Sequence, residues 1–127
     1  MPAPTRRPIG FLATVKPDAA LTFYHRVMGL RLAEQSPFAL VFADDDTMLR
    51  VQIVQEFKPA GHTVHGWQVA DIGAEMTELA AKGVAFVRFE ALDQDRHGVW
   101  TTPDGNKVAW FKDPCGNLLS LTQFASP

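Results

Sequence analysis

The residues with most scope for chemistry in this 127-residue chain are four histidines, one cysteine, three consecutive aspartates and Arg50. His62 and His65 stand three apart, a spacing that can chelate a metal on a helix. Here Pro59 and Gly61 dictate a loop and then a strand instead. His25 falls on the first expected helix, roughly opposite Met28 and Gly29, where solvation is its natural role. His97 follows Asp93 and Asp95, and a general base could be built this way. No activated nucleophile accompanies it, so it reads as a solvated loop residue. Asp44-Asp45-Asp46 lacks the glycine and distal glutamate of a calcium loop and reads as an acidic hairpin tip. Cys115 is a single thiol, unable to form an internal disulfide or a cysteine-based zinc site. Nothing beside it in sequence activates it. There is no phosphate-binding glycine loop, no G-x-S-x-G elbow and no H-E-x-x-H. None of these residues makes a reaction centre alone.

The elements that must position them follow from apolar spacing and stop signals. Ile9–Val15 is a strand-length run, and Pro17-Asp18 opens a helix with Asp18 as the expected N-cap. Ala20, Tyr24, Val27 and Met28 give that helix one apolar face. Gly29 followed by Leu30 ends it as a left-handed glycine stop. Strands are expected at about Leu30–Gln35, Phe38–Ala43 and Thr47–Val54, the last two joined by the aspartate turn. The order then repeats. Val64–Ala70 is a strand, Asp71 or Gly73 caps a helix carrying Ile72, Met76, Leu79 and Ala80, and Gly83-Val84 stops it. Strands follow at about Val84–Phe89, Lys107–Lys112 and Asn117–Gln123, with Asp113-Pro114-Cys115-Gly116 joining the last pair. Gly83 lies 54 residues after Gly29, and at that offset the two halves superimpose apart from an insertion at about Glu90–Asn106.

The fold class is therefore α+β: two βαβββ modules forming a curved mixed sheet with both helices outside. The whole chain, 1–127, reads as a single domain, with module 1 at about 8–55, a linker at 56–63 and module 2 at about 64–124. Neither half is large enough for its own core, so the sheet faces must be buried by packing or pairing. Composition agrees, with 46% hydrophobic and 20% charged residues, which argues against disorder. Twelve basic against fourteen acidic residues, mixed along the chain, give no basic stripe for nucleic acid. No apolar run approaches the roughly 20 residues that span a bilayer. No signal peptide is evident and the lone cysteine suits a reducing compartment, so a cytoplasmic location is expected, with neither nucleic acid nor membrane as partner.

The repeated module, the stretch Leu21-Thr22-Phe23-Tyr24 leading to Val27-Met28-Gly29-Leu30, and the closing run Phe111-Lys112-Asp113-Pro114-Cys115-Gly116-Asn117 together resemble the vicinal oxygen chelate superfamily. That superfamily contains glyoxalase I, extradiol dioxygenases and the fosfomycin and bleomycin resistance proteins, and its terminal hairpin is usually F-x-D-P-D-G-N. These motifs specify a scaffold, which members use for different chemistries. The resemblance implies a homodimer, since module edges commonly pair across subunits. It also implies one divalent metal on the concave sheet face, held by His, Glu or Gln from the first and last strands of each module. Carried onto this chain, those positions are Gly10, Arg50, Val64 and Ser120. None is a good ligand for a divalent cation, and a guanidinium repels one. A one-residue register shift would bring in His65, a single imidazole and so not a site.

Strand alternation sorts the residues that face the concave side. With a helix over Phe11, Ala13 and Val15, the cavity receives Gly10, Leu12 and Thr14, then Met48, Arg50 and Gln52. From the second module it receives Gly66 and Gln68, and Leu118, Ser120 and Thr122. The opposite set, Leu49, Val51, Ile53, Trp67, Val69, Leu119 and Leu121, is strongly apolar, as a helix-covered face must be. Trp100 and Trp110 add aromatic surface, Trp100 beside the charged run Asp93–His97 in a 17-residue insertion of the kind that serves as a lid or partner contact. The ligand-binding candidates are thus Thr14, Arg50, Gln52, Gln68, Trp100, Trp110, Ser120 and Thr122. No catalytic residue is assigned, and no cofactor is expected.

Two functions of different class fit. One is a metal-independent protein that sequesters a small organic molecule, anionic or aromatic, as bleomycin-resistance-type members do. The other is a divalent-metal-dependent lyase, isomerase or dioxygenase of the glyoxalase type, which would need ligands at the four matched positions. A metal-free enzyme using Arg50 to stabilise negative charge is a third. Whether the chain is an enzyme is left open by its sequence. The bland alternative for Arg50 is an internal ion pair, with Glu90 or Asp93 as partners.

Overall fold

The computed structural model describes residues 6–126, which fall into two compact units, Met1–Lys58 and Pro59–Pro127. The division lies inside the expected linker.

In the first unit, β1 (Ile9–Thr14) leads to a helix that starts as α1 (Pro17–Leu21) and continues as a π-helical stretch over Thr22–Val27. Strands β2 (Arg31–Gln35), β3 (Ala39–Asp44) and β4 (Thr47–Ile53) complete it, in the sheet order β1-β4-β3-β2. β1 runs parallel to β4, and the other pairs are antiparallel. Alternation in β4 decides the faces: Leu49 and Val51 are fully buried, whereas Met48 and Gln52 are exposed. The helix lies on the Leu49 side, where its buried Tyr24 meets Phe42 of β3 at a ring-centroid distance of 5.6 Å. Burying rings of this size contributes about 1.5–3 kcal/mol each.

Two local expectations change here. The helix is not capped by Asp18; Lys16 holds the N-cap position, no side chain caps the helix start, and Pro17 begins the first turn. Proline is pre-organised for that place and has no N–H to satisfy. The helix also widens. Met28 and Leu30 donate their N–H groups to the carbonyls of Phe23 and Tyr24, both at 2.9 Å, and Gly29 takes φ +78° to allow it.

The second unit has β5 (His65–Gln68), α2 (Ile72–Ala81), β6 (Phe86–Val87), β7 (Trp100–Thr101), β8 (Lys107–Lys112) and β9 (Leu118–Gln123). The sheet order is β5-β9-β8-β6, with β7 also on β8, and β5 is parallel to β9. Asp71 is the N-cap, accepting the Ala74 N–H at 3.0 Å, and Ile72, Met76 and Leu79 form the buried face of α2. Ala109, Phe111, Leu119 and Leu121 form the buried side of the sheet. The Ile72 N–H donates to Gln123 Oε1 at 2.8 Å, tying the helix start to the end of β9.

The insertion supplies β7, a ninth strand where eight main ones were expected. It also shortens β6. The Gln94 amide takes over the ladder, accepting the Phe89 N–H at 2.7 Å and donating to the carbonyls of Val87 (3.0 Å) and Gly98 (2.8 Å). In the closing turn Asp113 is buried, and its carboxylate accepts the N–H groups of Cys115 and Asn117 and the Asn117 amide. Among the described residues no helix is long and apolar enough to cross a membrane.

Candidate functional site

Each sheet has one face without a helix, and seven of the eight candidate residues lie on these open faces. On the first sheet, register places Arg50 beside Phe11 on one side and Val41 on the other. The next row is Ile9, Met48 and Ala43, and the row after it is Ala13, Gln52 and Ala39. Arg50 is half-buried and Gln52 exposed. Phe11, at 55% exposure, and Ile9, at 43%, make this an apolar surface around one guanidinium. Among the described residues of its unit Arg50 makes neither a hydrogen bond nor an ion pair. A guanidinium in apolar surroundings, with all five donors available, is the natural partner of a carboxylate or phosphate.

Thr14 is the exception. The parallel register sets Leu12 beside Val51 and Thr14 beside Ile53, so Gly10, Leu12 and Thr14 belong to the helix-covered face. Thr14 is 1% exposed. The expected alternation in β1 is therefore inverted, and Phe11 takes the place assigned to its neighbours. Thr14 tolerates burial because its Oγ1 accepts the Lys16 N–H at 3.0 Å where the chain turns into the helix. Phe11 is the residue that alternation missed. Its strand is apolar on both faces, and only pairing with β4 decides which set is inside.

On the second sheet the register runs Gln68, Thr122, Val108 and Trp100 in one row, and Gly66, Ser120, Trp110 and Val87 in the next. Gln68, Trp100, Trp110, Ser120 and Thr122 thus lie on one face of this sheet. Trp100 and Trp110 are both half-buried, with centroids 6.3 Å apart at 30°, and Phe89 packs edge-on to Trp110 at 5.1 Å. The Trp110 indole N–H donates to Thr63 Oγ1 at 3.0 Å, fixing its plane. Ser120 is only 9% exposed. It sits against Gly66, where a Cβ would come within 2.9 Å of the Ser120 carbonyl oxygen. That glycine lets β5 approach β9 closely, and Ser120 fills the space a side chain would occupy.

The divalent metal implied by the family resemblance does not fit the side chains at these positions. Arg50 and Ser120 lie on open faces, but Gly10 lies on a helix-covered face and Val64 precedes β5. His65 does not replace them: it pairs with Leu119, on the face opposite Ser120, and its ring stands edge-on to Trp67 at 4.9 Å. Among the described residues no three His, Cys, Asp or Glu side chains form a cluster that could hold a metal ion.

The insertion is held by one carboxylate. Asp95 Oδ1 accepts the N–H groups of His97 and Val99, each at 2.9 Å, and the Arg88 guanidinium donates to the Asp95 carbonyl. The Val99 N–H is the largest cause holding the Asp95 carboxyl below its ordinary 3.8; partial burial opposes it, and the His97 and Gly98 amides and the His97 ring add to it. His97 itself is exposed, with Nε2 accepting from Arg96 Nε at 3.2 Å. These bonds make the segment a tied hairpin.

The model of the Glyoxalase/Bleomycin resistance protein/Dioxygenase superfamily matches residues 11–121. Among solved structures, an antibiotic binding protein, TnmS3, from Streptomyces sp. CB03234 is similar at TM-score 0.73 and 22% identity, covering 98% of this chain and 100% of that one. A lactoylglutathione lyase from Agrobacterium tumefaciens is similar at 0.72 and 20%, covering 95% of each chain. The bleomycin resistance determinant encoded on the transposon Tn5 is similar at 0.72 and 19%, covering 96% of this chain and 100% of that one. At these identities the likeness is one of fold. No curated protein matches the chain.

Proposed function

The chain belongs to the glyoxalase/bleomycin resistance protein/dioxygenase superfamily, and from that premise we propose that it is a metal-independent binding protein for a small organic anion. The observation that carries this is Arg50. It stands half-buried between Phe11 and Val41 on an open sheet face, with no ion pair among the described residues of its unit to neutralise it. By the family resemblance this is a metal-ligand position, so a fixed positive charge on the protein replaces an acceptor for one. A guanidinium presents a planar, positively charged fork to a carboxylate or phosphate. Apolar neighbours strengthen the pairing by excluding water.

The second sheet supports binding through a different chemistry. Trp100 and Trp110 expose aromatic surface, and Gln68 and Thr122 stand in the same row as Trp100 with hydrogen-bonding groups. Small-molecule sites are commonly mostly apolar, with a few convergent polar groups. Among the described residues neither face holds a paired nucleophile and base, and none is needed for sequestration.

The test is a thermal-shift screen of the wild type and Arg50→Ala against small aromatic and aliphatic carboxylates and phosphates. Anion-dependent stabilisation of the wild type that the variant lacks supports the proposal. Stabilisation by divalent cations, with metal retained at near-stoichiometric level through purification, overturns it and favours the metal-dependent lyase or dioxygenase.

A further inference from the structure

The helix-bearing side of the second sheet carries a feature that the Arg50 reading does not use. An open groove of about 1200 Å³ lies between the start of α2 and the segment around residues 95–101. Its floor is apolar: Ile72 and Met76 are buried and Phe86 is half-buried. Its rim is cationic, with the exposed side chains of Arg88, Arg96 and Lys107. Among the described residues none of these three has an ion-pair partner. The two carboxylates in the lining are already engaged by backbone, Asp71 with the Ala74 N–H and Asp95 with those of His97 and Val99. Three cations against two carboxylates leave the lining with one positive charge in surplus, and the positive end of the α2 dipole adds to the same potential.

From this geometry we infer a second ligand site: the groove binds an organic phosphate or carboxylate whose apolar body rests on Ile72, Met76 and Phe86 while its head group meets Arg96 and Lys107. An apolar floor beside unpaired cations rewards both halves of such a molecule. Inorganic phosphate alone lacks the body, and a neutral aromatic lacks the head. The site lies on the sheet side opposite Gln68, Ser120 and Thr122, since Lys107 and Phe111 alternate with Val108 and Trp110 along β8. It stands or falls independently of Arg50.

Amide chemical-shift mapping on the intact chain tests the inference, with 1-naphthyl phosphate, 1-naphthoate, 1-naphthol and inorganic phosphate as probes. The two naphthyl anions are expected to shift amides at 72–77 and 95–101. They should bind roughly tenfold or more tightly than either 1-naphthol or inorganic phosphate, as expected for charge-assisted hydrogen bonds added to apolar burial. The relative strength of the two anions tells a phosphate site from a carboxylate site. The double variant R96A/K107A should weaken both anions about tenfold or more, while Arg88, which holds the Asp95 carbonyl, is left in place. Arg50→Ala should leave the groove shifts as they are. Equal binding of 1-naphthol, undiminished binding by R96A/K107A, or shifts confined to residues such as Arg50, Gln52 and Thr122 would overturn it.

Discussion

Apart from β7 in the insertion, the two units share one element order, and they differ in what they present. The first caps its helix without a side chain and lets it widen into a π-helical stretch; the second caps α2 with Asp71 and keeps it regular. The first open face surrounds a single guanidinium with Ile9, Phe11 and Met48, whereas the second exposes two tryptophans beside Gln68 and Thr122. The buried faces are much more alike: Phe42, Leu49 and Val51 in one, Ala109, Phe111, Leu119 and Leu121 in the other, all fully or almost fully buried. Folding constrains the helix-covered face of each module more strongly than the open face. Chemistry is therefore free to diverge on the open face while the scaffold stays the same.

The sharpest break in that comparison is across one strand of the second unit. Phe111→Ala should cost about 3–5 kcal/mol in denaturant unfolding, the range for deleting a buried aromatic. Trp110→Ala, one residue away on the open face, should cost much less and affect ligand binding instead. Similar losses from both would mean that the two faces are not divided as described. Gly66→Ala comes next: the added methyl meets the Ser120 carbonyl oxygen, and a loss of roughly 1–3 kcal/mol is expected, as for overpacked sites.

The helix starts give a smaller contrast. Asp71→Ala should cost about 1 kcal/mol through loss of a cap, while Asp18→Ala should be close to neutral because Asp18 caps nothing. Equal effects in thermal melts would erase the difference between the two helices.

The smallest effect is confined to acid. The Asp95 carboxyl is held below 3.8 in the folded chain, so its stabilisation of the insertion is fully present above that pH. It fades as pH falls from there through the lower folded value. Trp100 emission should be steady from pH 7 to about pH 5 and change only below about pH 4. Asp95→Ala should show the altered emission already at pH 7. A wild-type transition near neutrality would contradict this.

Much of the fold was legible because alternation and helix stops act locally. The Leu49 and Val51 pattern of β4, the glycine stops at Gly29 and Gly83, and the Asp113 turn all follow from neighbouring residues. What was not legible depends on partners distant in sequence. Thr14 and Phe11 exchange faces because β1 pairs with β4, 39 residues away at Phe11 and Arg50. A strand with apolar residues on both faces gives no local clue to that choice. Likewise the insertion looked like a loop suited to be a lid. Its order comes from Gln94 standing in for a strand and from Asp95 gathering amides, which composition does not reveal.

Whether Arg50 binds an anion or supports the fold can be read from one titration series. Isothermal titration would compare an anionic ligand found by the thermal screen with its neutral isostere, in wild type, Arg50→Ala and Arg50→Lys. Arg50→Ala should weaken the anion by roughly 2–5 kcal/mol, leave the neutral isostere unchanged and keep the melting temperature, with Arg50→Lys falling between. A lowered melting temperature with anion affinity unchanged would contradict anion binding and make Arg50 a structural residue.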